Sequence, residues 1–89
     1  MTIVEEKGNK ILAYFMKVEW TEELNYHEDW NKLMQVWIKL PVTTVKGTIV
    51  GIDNIINTIL KGDVRKSWGV IVGYINKNIL TEEEYLKFK

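Results

Sequence analysis

The stretch Tyr26-His27-Glu28-Asp29-Trp30-Asn31-Lys32-Leu33-Met34-Gln35-Val36-Trp37-Ile38-Lys39-Leu40 constrains the fold more than any other part of the chain. At helical spacing Tyr26, Trp30, Leu33, Trp37 and Leu40 fall on one side, in steps of four, three, four and three. Met34 and Ile38 widen that side, and Lys32, Gln35 and Lys39 lie opposite. Asn25 has the N-cap position, with Glu28 three residues on as in a capping box. Asp29 in the first turn and Lys39 in the last suit the helix dipole. Pro41 stops the helix, because proline disfavours helical geometry in the residue before it. The pattern predicts a central helix over residues 26–40, with Trp30 and Trp37 as core anchors.

Around it, 89 residues make one domain, 1–89, able to build one core but not a deep one. Residues 10–17 read as a helix with Ile11, Leu12, Phe15 and Met16 on its buried stripe. Asn9 is a possible cap; Thr2 and Glu5 offer an earlier one, although Gly8 weakens a helix running through. Residues 42–60 are ambiguous. Twelve of these nineteen are Val, Ile or Thr, which favours strands, and Asp53-Asn54 suits a hairpin turn. Yet Val45, Ile49, Ile52, Ile56 and Ile59 repeat at helical spacing. Gly62 ends that region and Asp63 caps the next helix, over residues 64–76, with Val64, Trp68, Ile71, Val72 and Ile75 buried; a strand from Trp68 to Ile75 competes, since Gly69 and Gly73 are poor helix residues. Thr81 to Glu84 opens a last short helical turn.

Zero formal net charge, with twelve basic and twelve acidic residues, is unlike a nucleic-acid footprint, so a nucleic-acid partner is not expected. The absence of cysteine suits the cytoplasm, and no apolar run is long enough for a membrane span. His27 is the only histidine, and neither a second histidine nor a cysteine exists to make a zinc site with it. Ser67, the only serine, lies far from it in sequence, so no catalytic pairing is readable. His27 is read as structural, with a general base or a ligand-binding group as its functional alternative. The acidic pairs and triplet at 22–23, 28–29 and 82–84 sit at helix starts, where negative charge is stabilised without any catalytic role. Gly47 with Gly51, and Gly69 with Gly73, suggest close backbone approach, a bend or a dimer contact; no phosphate-loop lysine follows them. Arg65, Lys66 and Trp68 place two cations beside an aromatic, a set that can hold a nucleotide by charge and stacking, or simply form a solvated helix start.

Three blocks resemble short proteins of unassigned function encoded in Bacteroidetes genomes and their phages. That family carries segments such as NKLIAEFMG, YHESWDWLMPVVEKI and TYKAVVEFIKWYN. The similar stretches here are residues 9–16, 26–40 and 68–78, and the middle one shares Tyr26, His27, Glu28, Trp30, Leu33, Met34, Val36 and Lys39. Gln35 replaces the family's usual proline, Gly73 its glutamate, and the closing Trp-Tyr pair is missing. The resemblance implies two short strands between the second and third blocks. The expected fold is therefore a small α+β domain of two N-terminal helices, a β-hairpin and a C-terminal helix, with all-α as the alternative. It also implies an accessory protein of phage or mobile-element origin and supplies no activity; that the protein is cytoplasmic and acts by binding is read from the absence of cysteine and of any catalytic set of residues. The first expectation is an inhibitor of host defence, taking either a host protein or a nucleotide signal. The alternative is a structural homo-oligomer or a regulator of phage genes. No enzyme activity, metal or cofactor is expected, and a homodimer is, given the aromatic load on so small a domain. The candidate ligand-binding residues are Arg65, Lys66, Trp68 and His27.

Overall fold

Short polar side chains set where the helices begin. The computed structural model describes residues 2–40, 44, 45, 48, 49 and 52–88, with side chains for 2–40 and 55–88. Helix α1 (Ile3–Met16) starts at Thr2, whose hydroxyl accepts from the Glu5 backbone while the Glu5 carboxylate accepts from Thr2 N–H. This reciprocal cap is the earlier of the two expected starts, and it carries the helix through Gly8. Helix α2 (Trp30–Lys39) is capped by Asp29, and α4 (Val64–Asn78), as expected, by Asp63. The short α5 (Glu82–Leu86) opens with a second reciprocal cap, between Thr81 and Glu84.

Helix α2 starts later than the apolar spacing predicts. Asn25 is not its cap: the Asn25 carbonyl accepts from both Glu28 and Asp29 N–H, closing a turn that leaves Tyr26 and His27 outside the helix yet buried. Lys32 braces this turn, donating to the Glu23 carbonyl and to Asn25 Oδ1, each at 2.9 Å. The buried face of α2 is Leu33, Val36 and Leu40. Trp30, Met34 and Trp37 are half-buried along its flank, and Ile38 is 78% exposed. The two tryptophans expected as anchors therefore border the core, and Leu33 and Val36, both fully buried, enter it. Pro41, expected to stop this helix, lies outside the described residues.

The α+β expectation is overturned. Among the described residues five helices carry the fold, and the only β pairing is a two-by-two antiparallel ladder, β1 (Thr44–Val45) against β2 (Thr48–Ile49). Asp53-Asn54, expected as a hairpin turn, lie inside helix α3 (Ile52–Leu60). Periodicity prevails over strand propensity for an energetic reason. The propensity scale spans only ~1 kcal/mol, whereas burying one isoleucine is worth ~1.5–3 kcal/mol. The buried residue is Ile55, with Ile59 half-buried against the core and Ile56 exposed, so of the spacing read in the sequence Ile59 holds its place and Ile55 replaces Ile56. The Gly47 and Gly51 pair lies outside the described residues.

Helix α4, not α2, is the hub. It packs against α1, α2 and α3, presenting Trp68, Ile71 and Ile75 to Ile11, Leu12, Leu33, Val36 and Ile55. Helix α5 is tied back to α1 by Tyr14, whose ring meets Phe88 edge-on at 5.5 Å and whose hydroxyl donates to Glu84. Among the described residues no helix is long and apolar enough to cross a membrane.

Candidate functional site

A buried polar chain joins α1, the connector before α2, and α4. Asn9 projects from α1 into the α4 interface with 0% exposure. Trp68 Nε1 donates to Asn9 Oδ1 at 2.9 Å, and Asn9 Nδ2 lies 2.9 Å from His27 Nδ1. Trp68 decides the polarity of the whole chain. An indole N–H can only donate, so the Asn9 oxygen faces it and the Asn9 amide NH₂ faces His27. His27 Nδ1 therefore accepts, and its ring proton sits on Nε2.

The Trp68 ring reaches this position only because residue 8 is glycine. A Cβ at Gly8 would stand 2.2 Å from Trp68 Cζ2. The glycines expected to allow close approach do not: a Cβ at Gly69 or Gly73 would meet nothing within 4 Å. His27 meets the indole edge-on, with ring centroids 5.9 Å apart.

Above this chain lies an open groove of about 1040 Å³. Among the described residues its walls carry Glu5, Glu6, Glu22, Glu23, Glu28 and Asp29, against two permanent cations, Lys32 and Arg65, leaving four negative charges in excess. Both cations are engaged. Arg65 pairs with Glu5 and lies over the Trp68 ring, 5.5 Å from its centroid. Lys32 is held by the connector, as described above. Glu6 pairs with Lys10 at 3.6 Å, and Glu28 accepts from Asn25 Nδ2 at 3.2 Å. The exposed Glu22 and Glu23 side chains have no partner among the described residues. Trp20 lines the same groove, with Lys10 Nζ 5.8 Å from its ring centroid.

Among the described residues Glu5 is the most strongly perturbed group. The Thr2 backbone N–H, helped by Arg65, holds its carboxyl down to about 2 against the opposing effect of desolvation. His27 Nε2 points toward this carboxylate from 3.8 Å and toward Glu28 from 4.0 Å, both beyond hydrogen-bond reach.

Of the residues singled out in the sequence, the structure brings together His27, Trp68 and Arg65. Trp68 is 5% exposed, so it offers no open face for a base to stack on. Lys66 is exposed and outside the groove lining, and its backbone N–H, one of the helix-start donors a phosphate would need, already bonds Asp63 at 3.0 Å. Ser67 is buried and its hydroxyl donates to the Asp63 carbonyl rather than to His27. Asn9 and Glu5 are the residues sequence reasoning missed, since both read as caps. The available signal for Asn9 was a polar residue three positions before Leu12, in phase with the apolar stripe of α1. Among the described residues no three His, Cys, Asp or Glu side chains are grouped to hold a metal. Comparison of the chain with protein-family models, with curated proteins and with solved structures finds no match in any of the three.

Proposed function

We propose that this is a non-enzymatic binding protein, a phage or mobile-element accessory that blocks a host protein through the acidic groove. The carrying observation is the state of His27. Its Nδ1 lone pair is taken by Asn9 and its Nε2 bears the proton, so the one imidazole in the chain serves as a fixed donor rather than a base. The phage setting is supported by the three sequence blocks at 9–16, 26–40 and 68–78.

A protein partner is favoured over a nucleotide on electrostatic grounds. Phosphate would enter a groove with an excess of four negative charges, while Arg65, its best cation, is already paired with Glu5. Two measurements test the reading. In a thermal-shift screen with cyclic and linear nucleotides the melting point stays put, whereas a true ligand at about a hundred times its Kd would add ~2.7 kcal/mol. In a host-lysate pull-down, a captured protein is lost when the bait carries Glu22→Lys and Glu23→Lys. Nucleotide stabilisation, recovery of a cleaved nucleotide, or capture indifferent to the charge reversal would overturn it.

A further inference from the structure

Two independent features of the groove specify what fits it. One is its surplus of carboxylates, of which Glu22 and Glu23 have no partner among the described residues. The other is His27, whose side chain is nine-tenths buried, with 10% exposure. Its orientation is fixed from behind by Asn9, and its Nε2–H meets no acceptor within hydrogen-bond distance among the described residues; the nearest carboxylate oxygens stand at 3.8 and 4.0 Å. A donor held rigidly at a groove wall and left without an acceptor is a binding determinant, because a ligand oxygen gains the bond without any reorganisation of the protein. The carboxylates call for a cation, and the histidine calls for a neutral acceptor close by. A small polyamine supplies the first and lacks the second. A peptide backbone carrying lysine or arginine supplies both within one residue.

Resting on the binding reading above, we propose that the groove takes an extended basic segment of the partner. A Lys or Arg side chain lies among Glu22, Glu23 and Glu28, and a backbone carbonyl of the segment accepts from His27 Nε2–H. The half-buried Trp20 ring on the same wall gives the cation a face to lie on, as Lys10 already does at 5.8 Å.

The test uses the whole chain, ¹⁵N-labelled, titrated with the capped peptide acetyl-Gly-Lys-Gly-Arg-Gly-Lys-Gly-amide. Its lysine- and arginine-to-glutamate counterpart and spermine serve as controls. The basic peptide is expected to shift the backbone amides of Glu22, Glu23 and Glu28 together with His27 Nε2, and to lose at least tenfold in affinity in E22Q/E23Q. Both substitutions lie on exposed side chains, and an unmoved Trp68 indole resonance verifies the fold. Spermine is expected to bind more weakly and to leave His27 Nε2 in place. Equal binding of the acidic peptide, spermine matching the basic peptide, or shifts confined to other surfaces would overturn the proposal. The two levels fail separately. A captured partner released by the E22K/E23K bait while the basic peptide leaves the groove silent rejects the peptide chemistry alone. A partner that the charge reversal does not release rejects the groove itself.

Discussion

At the scale of single residues, Gly8 and Asn9 carry more of the structure than their sizes suggest. Gly8→Ala would gain ~1 kcal/mol of helix propensity, but its new methyl must displace the Trp68 ring, and overpacking costs roughly 1–3 kcal/mol. Net destabilisation in thermal or urea melts is the expected result. Gly73→Ala, on an exposed surface with nothing within 4 Å of the added methyl, should instead stabilise by ~0.5–1 kcal/mol. Equal effects of the two substitutions would show that the ring does not occupy the space over Gly8. Asn9→Ala orphans a buried indole N–H and the Nδ1 lone pair of His27. At ~1–3 kcal/mol for each unsatisfied group, the loss should reach roughly 2 kcal/mol or more in chemical denaturation. A loss under ~0.5 kcal/mol would mean that the polar chain is not formed.

At the scale of elements, both reciprocal caps do double service. Glu5 closes the start of α1 with Oε1 and reaches Arg65 of α4 with Oε2; Glu84 closes the start of α5 with Oε1 and reaches Tyr14 of α1 with Oε2. Each carboxylate is held below its ordinary range, Glu84 first by the Tyr14 hydroxyl and then by the Thr81 backbone. A folded value below the unfolded one means stability that is complete above the unfolded value. For Glu5 it is lost as pH falls from 4.5 toward about 2. Glu5→Gln should therefore flatten the fall of melting temperature across that interval, and an unchanged slope would remove Glu5 as a cause of acid sensitivity. Tyr14→Phe should leave the far-ultraviolet helix signal nearly intact while α5 becomes more open to hydrogen exchange. These caps were legible in the sequence because capping is local: Thr2, Asp63 and Thr81 each act on a residue three positions away. The stripe of α4 was legible for the same reason. What was not legible is tertiary: Asn9 joins residues 18 and 59 positions away, and no periodicity encodes such a meeting. The start of α2 was misread because Tyr26 lies in phase with the helix and is buried by a turn instead. In α3 a run of β-branched residues masked a helix that packing against α4 selects.

At the scale of the whole molecule, α4 is the element on which the other long helices converge, so damage there spreads furthest. The homodimer expected from the sequence is a separate matter, and light scattering at high micromolar concentration decides it, a monomer mass rejecting it. The seat of Trp68 on Gly8 bears on how the molecule comes apart. A one-residue slip of α1 would bring Lys7 or Asn9, each with a side chain, beneath the indole, so the glycine acts as a register stop. Helix α1 thus leaves α4 only by lifting off the ring entirely, and with a glycine in its middle it has little helical stability of its own once detached. The two helices should therefore behave as one foldon. The slowest amides around Leu12 and Ile71 are expected to report the same opening free energy and the same denaturant dependence in native-state exchange. A smaller, separate opening of α1 would show that the stop does not hold. Limited proteolysis should accordingly trim the α5 end first, leaving α1 and α4 together as the last body to yield.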